Sequence, residues 1–198
     1  MKNEKLLFAK VIKQFEYKVD IRTAFDDFLT MSICAFGRNP ATGLSYDEEL
    51  YLQTIAKYKN DPLRFEFSNL LACLENEMTE RMDSDSGYDV LGEFYEEHLP
   101  RKGLSQFFTP WPICTFMAKC SIEETLKTDN RNKPLRILDP ACGSGRMLMA
   151  TSRIAGPYEN YFGVDIDHTC VKITALNWFL SGLFKMEVMH GNALFIDV

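Results

Sequence analysis

Between residues 135 and 154 the chain passes from a short apolar run, Leu135-Arg136-Ile137-Leu138, through Asp139-Pro140-Ala141-Cys142-Gly143-Ser144-Gly145 into a helical stretch. That passage constrains the fold more than any other segment. Glycines between a strand and a helix let the backbone turn tightly and approach a ligand, while the helix N-terminus presents backbone N–H groups. The grammar then repeats. Residues 161–165 read as a second strand, and 168–183 as a second helix with apolar Val171, Ile173, Ala175, Leu176, Phe179 and Leu180. Residues 186–189 read as a third strand running into His190-Gly191-Asn192-Ala193-Leu194. Strand–glycine loop–helix–strand–helix–strand is one half of a doubly wound parallel sheet. In that order the first strand lies at an open edge, which predicts pairing with a continuation, a partner or another copy, or a tendency to aggregate.

Two carboxylates sharpen the ligand. Asp139, at the tip of the first strand, suits a cationic group. Asp165, twenty residues past Gly145, closes the second strand, where an acid accepts both ribose hydroxyls of a nucleoside. A dinucleotide fingerprint requires a third glycine, whereas Gly143-x-Gly145 is followed by Met147-Leu148. Cys114, Cys120, His168, Cys170 and His190 lack the fixed short spacings of a zinc site, so no metal is expected.

The first hundred residues read as helices. Apolar residues from Leu6 to Val19 and from Ala24 to Phe36 recur at three- and four-residue steps, and Gly37 before Asn39-Pro40 stops the second run. Ser45 with Glu48 forms a capping-box pattern for a helix carrying Leu50, Leu52, Ile55 and Tyr58. Further helices are expected over 62–82 and 88–99. The domain reading is therefore 1–105 helical and 106–198 sheet-bearing.

Net charge is −6, all of it in residues 1–105, with 106–198 balanced. Neither half has the basic excess of a self-sufficient nucleic-acid binder, so isolated binding to DNA is expected to be weak. No apolar run reaches membrane-spanning length, and residues 6–9 are too short and too soon followed by Lys10 and Lys13 for a signal peptide. The six cysteines show no CxxC spacing, which reads as free thiols in a reducing cytoplasm.

At its motifs the chain resembles the S-adenosylmethionine-dependent DNA adenine-N6 methyltransferases, specifically the modification subunit of type I restriction systems. Residues 139–145 are similar to that family's first cofactor motif. Gly163-Val164-Asp165-Ile166-Asp167 resembles the second, implying Asp165 on the ribose and Ile166 against the adenine ring. Gly191-Asn192-Ala193-Leu194 resembles the third, with Asn192 where the family usually carries an acid; an amide oxygen still accepts from the adenine amino group. Gln106-Phe107-Phe108-Thr109-Pro110, about thirty residues before Asp139, is similar to a further family motif whose threonine and backbone line the methionine end. By itself that block reads as aromatic core with Thr109 as the N-cap of a helix over 112–121. The resemblance thus implies S-adenosyl-L-methionine as cofactor, held by Phe108, Thr109, Asp139, Ala141, Gly143, Gly145, Asp165, Ile166 and Asn192. It implies an α/β architecture, an N-terminal helical domain followed by the first half of a Rossmann-like methyltransferase sheet. The implied partners are DNA, specificity and restriction subunits, or a second copy.

One departure is as informative as the matches. The family's catalytic Asn/Asp-Pro-Pro-aromatic motif, whose acceptors hold the target amino group, is absent: the single Asn-Pro is Asn39-Pro40, followed by Ala41. No catalytic residue is therefore assigned within the chain. The implied role is the cofactor side of DNA adenine-N6 methylation. The alternative is a non-catalytic cofactor-binding or subunit-docking module from a decayed or split methyltransferase. A protein-glutamine or RNA methyltransferase shares the Asn-Pro-Pro chemistry, but the block at 106–110 argues against it.

Overall fold

Helix formation in the first eighty residues follows apolar spacing and local capping. The computed structural model describes residues 7–37, 47–82, 87–99, 107–128, 133–183 and 185–195. The chain divides into two units, Met1–Met82 and Asp83–Val198. The first holds α1 (Phe8–Ile12), which tightens into a 3₁₀ segment (Lys13–Tyr17), then α2 (Ile21–Phe36), α3 (Glu48–Ala56) and α4 (Leu63–Arg81). Asp20 caps α2 by accepting the Thr23 amide at 3.1 Å. Gly37 does follow α2, yet its φ of −73° shows that no left-handed turn ends the helix. The expected Ser45 cap and Asn39-Pro40 lie outside the described residues. Asp47 is the cap of α3, accepting Leu50 N–H at 2.9 Å.

Along α4, Leu63, Phe67, Leu70, Leu74 and Met78 are all buried, one stripe at helical spacing. They meet an aromatic core in which the Phe67 ring centroid lies 4.7 Å from Phe15 and 5.0 Å from Tyr58. The buried face of α3 differs from the expected stripe: Thr54 is buried, while Leu50 and Leu52 are exposed. Just past α3, buried Tyr58 donates its hydroxyl to buried Asp27 at 2.8 Å, and Lys57 pairs with the same carboxylate at 2.6 Å. That satisfied carboxylate tethers the α3 end to α2.

The second unit comprises α5 (Val90–His98), α6 (Trp111–Thr128), β1 (Arg136–Asp139), α7 (Arg146–Ala155), β2 (Asn160–Asp165), α8 (His168–Leu180) and β3 (Met186–His190). The strands are parallel in the order β1-β2-β3, the half-sheet expected from the sequence. Leu138 pairs with Phe162 and Phe162 with Glu187; Asp139 pairs with Gly163 and Gly163 with Val188. Side chains alternate across the pleat, so the two faces differ. On one face Tyr161 is buried, its ring 4.7 Å from Trp178 of α8. Gly163 lies so close under α7 that a Cβ there would come within 3.3 Å of Leu148. On the other face Leu138 is 61% exposed and Met189 47%. Among the described residues, β1 pairs only with β2 and that apolar face carries no helix.

α6 packs along α7 and α5 packs on α8. Thus α5, within the 1–105 segment of the sequence reading, lies in the sheet-bearing unit. No described helix is long and apolar enough to cross a membrane.

Candidate functional site

Asp139 is the last residue of β1, and the chain leaves it through a loop bent by two left-handed glycines, Gly143 (φ +56°) and Gly145 (φ +87°). Contact as well as conformation demands glycine here. A Cβ on Gly143 would sit 2.8 Å from the Phe108 ring, and one on Gly145 would sit 3.0 Å from the Thr174 methyl. The loop is sewn to its surroundings. Cys142 N–H donates to Val164 O (2.9 Å), Gly143 N–H to Asp165 Oδ2 (2.8 Å), and Thr174 Oγ1 to Gly143 O (2.8 Å). Gly145 N–H donates to Cys142 O at 2.8 Å. Both glycine amides are therefore taken by acceptors within the protein.

Phe108, Thr109, Asp139, Ala141 and Gly143 line one cleft of about 390 Å³, together with Met117 and Ser121 of α6 and Arg146 of α7. Thr109 is not the α6 cap, because Pro110 supplies the carbonyl that accepts from Ile113 and Cys114 N–H. Gly145 forms the turn behind this cleft. Asp165, Ile166 and Asn192 stand beyond its lining, at the ends of β2 and β3, and the Gly143–Asp165 bond links the two groups. Asp165 is nearly buried and its other oxygen takes the Asp167 amide at 2.8 Å, so it organises both the loop and the α8 start. Gly191 N–H donates to the Asp165 carbonyl at 2.9 Å, drawing the third motif to the same point. Ile166 is 63% exposed, an apolar side chain at the strand tip, and its carbonyl lies 3.0 Å from His190 Nε2. Asn192 Oδ1 accepts Leu194 N–H at 3.0 Å, which occupies one of its two lone pairs.

Electrostatics sort the ionisable groups. Burial pushes the Asp139 carboxyl above the ordinary carboxylate range; the Ala141 N–H opposes the rise and the Asp165 charge adds to it. Burial also pushes the Cys142 thiol up to about 12, so it stays protonated at neutral pH and is not a nucleophile.

Sequence reasoning missed what stands behind the loop. Asp89, almost fully buried, caps α5 by accepting Gly92 N–H at 2.8 Å. It also accepts the Ser144 hydroxyl, Arg146 Nε (2.6 Å) and Asn177 Nδ2 (2.6 Å). Tyr95 donates to Asp167 at 2.7 Å, and Asp167 caps α8 through Thr169 N–H at 2.9 Å. The local signal was Asp89 three residues before Gly92, an N-cap pattern that says nothing about Arg146 or Asn177.

Residues 86–197 match the family described as N-6 DNA Methylase. The chain is 30% identical over 141 residues to the type II restriction enzyme and methyltransferase RM.BcgI of Heyndrickxia coagulans, covering 63% of this chain and 21% of that protein. It is 31% identical over 154 residues to the type I restriction enzyme MjaVIII methylase subunit of Methanocaldococcus jannaschii, covering 72% of this chain and 25% of that subunit. The chain thus spans a quarter or less of these relatives' lengths. A crystal structure of the type I restriction-modification methyltransferase subunit from Streptococcus thermophilus superposes with a TM-score of 0.46 at 14% identity, over 96% of this chain and 58% of that one.

Proposed function

Because this chain belongs to the N-6 DNA methylase family, we propose that it is the cofactor-binding half of a restriction-modification methyltransferase acting on the exocyclic nitrogen of adenine in DNA. When bound, S-adenosylmethionine supplies a sulfonium-activated methyl group. The observation that carries the assignment is the 2.8 Å bond from Gly143 N–H to Asp165 Oδ2, which joins the first motif to the second at one point of the sheet. An ionised carboxylate has about four acceptor positions. Asp165 spends one position on each of two amides, leaving acceptors for two ribose hydroxyls. Exposed Ile166 offers an apolar surface to the adenine ring, and Asn192 keeps one lone pair for the adenine amino group. Phe108, Thr109, Ala141 and Gly143 wall the methionine end, where Asp139 places a carboxylate against cationic groups. Gly145 makes the turn that permits this wall. DNA and the specificity and restriction subunits are the proposed partners of the whole enzyme.

Calorimetric titration tests the assignment. Wild-type protein is expected to bind S-adenosylmethionine, and Asp165→Ala to lose about 1.5–3 kcal/mol, the worth of hydrogen bonds to a charged acceptor. Binding of NADH in place of S-adenosylmethionine, with no effect of Asp165→Ala, would overturn it.

The raised Asp139 carboxyl adds a pH signature. Only the ionised form attracts a cation, and its pKa lies above the ordinary value of about 3.9. Cofactor affinity is therefore expected to fall on acidification, beginning at a higher pH than an unperturbed aspartate would cause. Asp139→Asn should bind more weakly at neutral pH and lose that component of the pH dependence. An unchanged profile in the variant would remove Asp139 from the cation's surroundings.

A further inference from the structure

We infer that Glu96 and Arg146 are positioning residues that clamp the Phe108–Thr109 wall of the cleft to its glycine-loop wall. The inference rests on the cofactor-site reading above and names residues outside all of the sequence motifs except the one after Gly145. Glu96 faces both walls. Its Oε1 accepts Phe108 N–H at 2.6 Å, and its Oε2 accepts from Arg146 Nη2 at 2.9 Å. Arg146 is the first residue of α7, directly after the glycine loop, and its Nε donates to buried Asp89 at 2.6 Å. The Arg146 guanidinium carbon lies 5.4 Å from the Phe108 ring centroid. Tyr95, beside Glu96 on α5, stacks on Phe108 with centroids 5.9 Å apart and planes 21° apart. Phe108 in turn rests on Gly143, where a Cβ would strike its ring.

The segment bearing Phe108 and Thr109 is thus held from three directions by α5 and α7. Arg146 reaches the cleft, yet two of its donor nitrogens are engaged by carboxylates and its charge is matched by both. It is therefore placed to fix protein geometry and not to receive an anionic ligand group. Two donors spread over two carboxylates require the guanidinium fork; an ammonium cannot span them in the same way.

The test separates Glu96's two bonds. Glu96→Gln keeps an acceptor for Phe108 N–H, whereas Glu96→Ala removes it. Circular dichroism reports folding, NMR hydrogen exchange reads the Phe108 amide without cofactor, and calorimetry reads S-adenosylmethionine affinity. In folded Glu96→Ala, Phe108 exchange is expected to rise at least about tenfold and affinity to fall by at least about tenfold, the size of one net charged hydrogen bond. Glu96→Gln, whose amide oxygen still accepts Phe108 N–H while its NH2 meets the Arg146 donor where an acceptor stood, should keep Phe108 exchange within about threefold of wild type but lose affinity toward the Glu96→Ala value. Arg146→Lys should resemble Glu96→Ala in affinity. If Glu96→Ala fails to fold, Glu96→Asp, which keeps the charge and shortens the reach, takes its place with the same expected readings. Unchanged Phe108 exchange, or affinity within about twofold of wild type in the folded variant, would overturn the clamp. If wild type binds no S-adenosylmethionine, the cofactor reading falls, and the exchange experiment still decides whether Glu96 holds Phe108.

Discussion

Asp89→Ala is expected to destabilise the Asp83–Val198 unit by about 3–5 kcal/mol, because it leaves the buried Arg146 guanidinium without one of its counter-charges. The same substitution strips partners from Ser144, Asn177 and Gly92 N–H, so the loss falls on four donors at once. Whole domains are stable by only about 5–15 kcal/mol, so a large share of the folded population is at stake. Urea denaturation followed by circular dichroism measures the change. A loss below about 1 kcal/mol, the range of a single neutral hydrogen bond, would show that the network is not the internal support described above. Asp89→Asn, which preserves shape and the Gly92 cap acceptor, should fall between wild type and alanine, because the guanidinium still loses its charge partner.

No methyl transfer is expected from purified residues 1–198 incubated with tritiated S-adenosylmethionine and adenine-rich DNA. The adenine amino nitrogen is a poor nucleophile, since its lone pair is delocalised into the ring. Transfer requires acceptors that hold the amino group and a site that receives the flipped base. The 198 residues contain no Asn/Asp-Pro-Pro-aromatic sequence, and Asn39-Pro40 precedes alanine. Asp139 lines the cleft proposed to hold the cofactor, so it is committed to the donor side. Cys142 is protonated and buried in the same loop. Counts above a no-protein blank that disappear in Asp165→Ala would reveal a catalytic group in this chain, and would also dismiss the alternative of a non-catalytic module.

The half-sheet was legible from residue order because its signals are local. Apolar runs of strand length, helical spacing from Val171 to Leu180, and glycines at 143 and 145 each act within a few residues, and the structure places β1, α7, β2, α8 and β3 there. Capping was less legible where neighbours compete: Ser45 and Asp47 both suit the α3 start, and Asp47 bonds the Leu50 amide. Thr109 suits a cap by type, but the α6 bonds begin at the Pro110 carbonyl. The directions of the loop amides were not legible at all. Glycines before a helix say that the backbone turns tightly, but not that Asp165, twenty-two residues beyond Gly143, accepts the Gly143 amide.

The widest gap concerns burial of charge. Arg146 stands in the sequence like any polar helix residue, and Asp89 and Glu96 like ordinary residues of an acidic helical stretch. Whether such groups face water or each other depends on partners 50 to 57 positions away, and no local period encodes that separation. The amino-acid order determined the half-sheet elements, their parallel succession and the acids that end β1 and β2, because strand and helix periods and turn chemistry are short-range properties. Only the tertiary structure decided that α5 belongs with the sheet, since just there can Asp89 and Glu96 neutralise a buried arginine while Glu96 also satisfies the Phe108 N–H of the cleft wall.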